Sequence, residues 1–123
     1  MSRFTTLKNL LDAVVASTTG NGEDVSQRKK MSVQFTAADI VAGNGVFTIE
    51  VSNDNVNWIT YNRLTDNLAN NNSQTDTRVA SVTLNSNTSK IYFFAPGDHF
   101  RMVRAKVVRT TDGTYTATLA AVD

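Results

Sequence analysis

Residues 99–122, HFRMVRAKVVRTTDGTYTATLAAV, hold two alternating runs either side of Thr111-Asp112-Gly113. Before the break, Val103, Ala105 and Val107 alternate with Arg104, Lys106 and Val108. After it, Tyr115, Ala117, Leu119 and Ala121 alternate with Thr114, Thr116 and Thr118. A period of two marks a strand with one buried face. Read as a hairpin, the segment has two registers. A two-residue loop at Asp112-Gly113 would put Arg104 and Lys106 on the face of Leu119 and Ala121, and that face could not be a core. A three-residue loop, 111–113, with Gly113 in the left-handed conformation, shifts the pairing by one. Val103, Ala105, Val107, Tyr115, Ala117, Leu119 and Ala121 then line one apolar face. The opposite face carries Arg104, Lys106 and the three threonines, but also Phe100, Met102 and Val108. It is too apolar for free solvent and too charged for a core. Phe100, Met102, Arg104, Lys106 and Val108 are therefore the candidate contact surface for a partner.

Outward from this segment the chain is a series of short stretches rich in Val, Ile, Thr, Phe and Tyr, separated by Gly, Asn and Asp. The pattern predicts strands over 30–36, 45–52, 57–63, 78–84, 89–95, 99–109 and 114–122. Near the N-terminus, Leu7, Leu10, Leu11, Val14 and Val15 also fit helical spacing over 5–16. The β-branched run of AVVASTTG favours a strand over 11–18 instead. The polar run 65–77, TDNLANNNSQTDT, reads as an exposed loop too long for a simple hairpin. The expectation is an all-β, single-domain antiparallel sandwich or jelly roll of about seven or eight strands, with residues 1–10 as an N-terminal arm.

Composition narrows the function classes. A chain of 123 residues has room for one well-packed domain. The net charge of +1 gives no bulk electrostatic hold on a nucleic-acid backbone. The basic residues Arg101, Arg104, Lys106 and Arg109 fall on both strand faces and form no single stripe; with Arg28, Lys29 and Lys30 they could form a local patch. There is no cysteine, hence no disulfide, and no apolar span of membrane length. Asp12 interrupts the early apolar run, so no cleaved signal peptide is expected. His99 is the only histidine and there is no cysteine, which excludes cysteine nucleophiles and zinc sites built from several His or Cys ligands. The acids sit mostly in turn contexts. The chain is expected to be no enzyme and to need no cofactor or metal.

The stretch 51–58, VSNDNVNW, crowds Asn53, Asp54, Asn55 and Asn57 just before the only tryptophan. Calcium normally takes six to eight oxygens, several of them charged, and Asp54 is a single carboxylate. Asn and Asp also tolerate positive φ and bond their own backbone, so a tight turn between strands explains the run. Ile59 and Tyr61 are expected to continue the buried face of Phe47, Ile49 and Val51, with Trp58 pointing the other way.

Two stretches, FTIEVSNDNVNWITYNRLTDN (47–67) and LLDAVVASTTGNGEDVSQRKKMSVQFT (10–36), resemble small β-sandwich virion proteins of tailed bacteriophages. In that pattern a strand, a Ser-Asn-Asp-Gly turn and a nearby Trp recur, and Asn55 stands where Gly is usual. The resemblance spans roughly residues 7–63 and implies a structural part of a particle. On it rest the expectations of a capsid decoration or accessory (cement) protein, made in the host cytoplasm and located in the virion. Its partners would be the major capsid protein or other virion proteins and further copies of itself, with no nucleic acid and no membrane. The alternative is a carbohydrate-binding or tail-fibre accessory module using Trp58 as a stacking platform.

Overall fold

A computed structural model describes residues 5–66 and 78–122 of the chain. Among these, the strands are β1 (Thr5–Val14), β2 (Thr18–Thr19), β3 (Glu23–Asp24), β4 (Lys30–Ala38), β5 (Asn44–Ser52), β6 (Ile59–Thr60), β7 (Val82–Leu84), β8 (Thr88–Phe93), β9 (Met102–Thr110) and β10 (Thr114–Val122). They form two antiparallel sheets packed as a sandwich. The first runs β1-β10-β4-β8. The second runs β2-β9-β5-β6, with β3 also on β9 and β7 also on β5. Its two long central strands, β5 and β9, pair over their whole length from Asn44↔Thr110 to Ser52↔Met102. Short strands alone flank them.

The alternation explains these layers. In β5, Phe47, Ile49 and Val51 are buried while Val46, Thr48 and Glu50 are half-buried on the other side. In β4 the inward residues are Val33, Phe35 and Ala37. Between the sheets Phe35 stacks on Phe47 at 4.6 Å between ring centres, and Phe47 meets the Tyr115 ring edge-on at 5.8 Å. A second aromatic group closes one end, with Tyr61, Phe94 and Phe100 within 6.0 Å of one another.

The last segment departs from the hairpin reading in one respect. The face assignment holds: Val103, Ala105, Val107, Tyr115, Ala117, Leu119 and Ala121 are all buried. Yet β9 and β10 lie in different sheets, so these residues oppose one another across the core instead of lining one face. Residue parity decides which side chains point inward; it does not decide which sheet receives them. The short link 111–113 turns the chain over with Thr111 at φ 70° and Gly113 at φ 108°.

Other boundaries moved as well. The N-terminal stretch is a strand, as favoured, but it begins at Thr5 and pairs with β10, so the described part of the expected arm belongs to the first sheet. Register shifts between Asn9 and Leu11 and between Leu11 and Val14 are β-bulges, which put the neighbours Leu10 and Leu11 both into the core. That breaks the period of two and produces the helix-like spacing. The expected strand 57–63 is reduced to β6, and 78–84 to β7 with Val79 bridging to Leu64. Most of 65–77 lies outside the described residues, but Thr65 is buried and bridges to Phe93, contrary to an exposed loop.

The Tyr115 ring fits because two neighbours lack a side chain. A Cβ on Gly45 would stand 2.4 Å from the ring, and one on Gly113 would stand 2.3 Å from its hydroxyl. The ring is fully buried, and its hydroxyl donates to the Asp112 carbonyl at 2.9 Å. Gly45→Ala is therefore expected to destabilise the fold by about 1–3 kcal/mol through overpacking. In urea denaturation, Gly45→Ala and Tyr115→Leu should couple by about 1 kcal/mol, because the smaller side chain relieves the clash. Strict additivity would show that glycine and ring do not share this space.

Candidate functional site

The outer face of the second sheet is built by cross-strand register. Val46 lies beside Val108, Thr48 beside Lys106, Glu50 beside Arg104 and Ser52 beside Met102. Four of the five expected contact residues, Met102, Arg104, Lys106 and Val108, thus share one face. Val108 is 47% exposed and the other three are half-buried. Phe100 is not among them. It is 8% exposed and packs on Tyr61 and Phe94, because the chain bends at Arg101 and β9 begins only at Met102. Alternation extended back through that bend placed it on the wrong side.

One end of this face is organised around Trp58. The Arg104 guanidinium lies 4.2 Å from the centre of the indole, and its Nε donates to Glu50 Oε1 at 2.7 Å. Arg104 is thus held by a carboxylate and a ring together, a geometry that Arg supports through planar donors and a cation–π contact. Trp58 lies on the outer side as expected, with one face of its ring occupied by Arg104. Ile59 does not continue the buried face. It is 69% exposed, because β6 is a two-residue strand at the sheet edge. Tyr61 does turn inward, where Asp98 Oδ2 accepts its hydroxyl at 2.7 Å and its oxygen accepts the Ala95 N–H. Burial pushes the Tyr61 pKa up to about 12.

The turn between β5 and β6 is wired internally. Asp54 Oδ1 accepts the N–H groups of Val56 and Asn57 and the Ser52 hydroxyl, and Oδ2 accepts the Asn57 amide. Asn55 has φ 62°, the conformation the glycine of the phage pattern would supply, and Asn53 accepts the Arg101 N–H. These bonds, those from the Asn57 and Val56 backbone first, hold the Asp54 carboxyl well below its ordinary range. Both oxygens are engaged by donors. Among the described residues no group of three or more His, Cys, Asp or Glu is placed to hold a metal ion.

Asp112 performs the corresponding task at the other end of β5. Its carboxylate accepts the N–H groups of Ala42 at 3.1 Å, Gly43 at 2.9 Å and Val41 at 3.3 Å. These bonds, led by Ala42, hold its pKa below the ordinary value. The link 111–113 is thereby tied to the 39–43 loop, while Arg109 Nε donates to the Gly113 carbonyl. Asp98 is lowered too: burial raises it, but hydrogen bonds from Tyr61 and Arg63 outweigh that. It borders an open groove of about 400 Å³ lined by Ser26, Gln27, Arg28, Lys29, Gly97 and the exposed loop residue His99. Of the basic residues, Arg101 reaches Asp24 at 3.8 Å, while Arg104 and Arg109 are engaged as described.

No family model matches the chain, and no curated protein matches it by sequence. A search of solved structures finds the crystal structure of the SPBc2 prophage-derived protein YomS. It superposes with a TM-score of 0.69 at 15% identity, over 100% of this chain and 96% of that one. At this identity the likeness is one of fold, and the neighbour is a phage-derived protein.

The depressed carboxylates fix a pH dependence. A native pKa below the unfolded value stabilises the fold above the unfolded pKa and is lost as pH falls through the native one. Thermal stability should therefore be flat above about pH 5 and fall below about pH 4. Asp112→Asn should lower the melting temperature at neutral pH and flatten that acid limb, measured by circular dichroism. An unaltered pH profile would mean that the Asp112 bonds contribute nothing. Calcium and a chelator should both leave the melting temperature of wild type unchanged.

Proposed function

We propose that this chain is a non-enzymatic structural protein of a phage particle, of the capsid decoration or accessory kind, that attaches through the outer face of its second sheet. The observation carrying the proposal is the make-up of that face. Val46, Met102 and Val108 stand among Arg104 and Lys106, with Trp58 at one end and Thr48 between. Interface cores are enriched in aromatic residues, Met and Arg, and a few such anchors carry most of the binding energy. The full-length fold likeness to a prophage-derived protein and the virion-protein resemblance of residues 7–63 support the particle setting. The mechanism is contact formation. Apolar anchors leave water against the shell, the basic residues meet acidic groups on it, and binding to the assembled form stabilises that form by mass action.

The test must spare Arg104, whose replacement by Glu would set two carboxylates against each other at Glu50. Val108→Glu with Lys106→Glu changes outward side chains alone. The double variant is expected to melt within a few degrees of wild type but to bind particles at least about tenfold more weakly, since one buried anchor commonly carries about 2 kcal/mol. Co-sedimentation with particles lacking the protein measures this. Undiminished binding by the folded variant would remove the second sheet from attachment.

A further inference from the structure

Two outward cations stand on β9, Arg104 opposite Glu50 and Lys106 opposite Thr48. A guanidinium carries five N–H donors on a planar fork. Among the described residues Arg104 uses only one of them, Nε, which donates to Glu50 Oε1 at 2.7 Å. The Nη nitrogens at the other end of the fork meet no acceptor there, and Lys106 has no carboxylate partner. The acids around them are already engaged. Glu50 holds Arg104, and Asp24, beside Met102 on β3, accepts the Ser26 N–H and hydroxyl and faces Arg101. Asp54 is bonded within its own turn. What this part of the surface has left over is donors.

Those donors are held in place. The indole of Trp58 lies 4.2 Å from the guanidinium carbon, while Glu50 fixes the Nε side. The ring is itself wedged: a Cβ on Gly22 would stand 2.9 Å from its Cη2 and 3.2 Å from the Met102 methyl, so only a bare backbone lets the chain at Gly22 lie against the indole edge. The Arg104 side chain is 27% exposed and that of Glu50 17%. A long side chain ordinarily loses rotamer freedom when it binds. Here a carboxylate and a ring have removed much of it beforehand.

We propose that Arg104 is the recognition residue of this face and takes a carboxylate of the partner, an Asp or Glu side chain, on its Nη end. The proposal rests on the attachment reading and gives that contact its chemistry. Two parallel N–H donors match the two oxygens of a carboxylate, a fit that the point charge of a lysine does not offer. Lys106 adds an attraction without direction. Glu50 and Trp58 are positioning residues. Glu50 does not bar the incoming group, because it holds the Nε side of the fork and Lys106 offsets the added negative charge.

A blocked tetraglutamate peptide tests this on the isolated protein, with tetraglutamine as its neutral counterpart. Equilibrium dialysis measures binding, and emission from Trp58, the only tryptophan, reports whether the peptide reaches Arg104. Wild type is expected to bind tetraglutamate saturably with a Trp58 response, and tetraglutamine not at all. Arg104→Lys keeps the charge but loses the fork, and should bind about tenfold more weakly. Lys106→Gln should weaken binding about threefold, whereas Lys90→Gln, which removes the same charge from the other sheet, should change nothing. Glu50 separates positioning from charge. If net charge alone acted, Glu50→Ala would strengthen binding of an acidic peptide. Positioning requires that it weaken binding at least about threefold, and that Glu50→Gln, which keeps an acceptor for Nε, bind at least as well as wild type. Circular dichroism melting identifies the folded variants, and the Glu50 pair carries the test if Arg104→Lys does not fold. No particle enters, so failure here and failure of the attachment proposal are separate results. Wild type that treats the two peptides alike, a folded Arg104→Lys that binds as wild type does, or tighter binding by Glu50→Ala would overturn the proposal.

Discussion

The structure depends on closing one core from two sheets through the link 111–113. β9 leaves the second sheet and β10 enters the first, so the inward residues of both strands come face to face across the sandwich. The ring of Tyr115 fills the space at this closure, against Phe47 and over the positions where Gly45 and Gly113 lack a Cβ. Asp112 seals it from outside by accepting the backbone N–H groups of 41–43. A buried ring, two absent methyl groups and one carboxylate together determine how the chain turns. Because β5 begins just beyond the 39–43 loop and runs to the Asp54 turn, both ends of the central strand are held by an aspartate. The outer face of the second sheet is thereby presented on a scaffold tied at each end.

Much of this was legible before the structure. The alternation in 103–121 identified the inward residues of β9 and β10, and the Asn-Asp run identified the β5–β6 turn with its left-handed Asn55. What escaped was partnership. Sequential strands usually pair, which favoured a hairpin, and parity is identical whether the two strands share a sheet or face each other across one. The bulges in β1 escaped because an inserted residue turns a period of two into spacings of three and four, the same spacings a helix shows. Ile59 and Phe100 were misplaced because alternation was carried through an edge and a bend where the backbone does not follow it. The pairing of Arg104 with Glu50 and Trp58 joins residues from two strands and a turn, and no local pattern signals it. The register of β5 with β9 supplies it.

The two outer faces divide the surface by chemistry. One mixes apolar side chains with paired and unpaired charge, which suits a partner of different composition. The other is mainly polar, with Thr118 bonded to Asn9 and Thr36 to Ser89. The two faces lie on opposite sides of the sandwich because its sheets pack about 10 Å apart with the core between them.

The most direct measurement is an image reconstruction of the phage particle at a resolution that separates β-sheets. The account predicts density for this sandwich on the outer shell, with the β5 and β9 face against the capsid subunits and Trp58 at the contact. A particle without the sandwich, or one in which that face points to solvent while another surface makes the attachment, would contradict it.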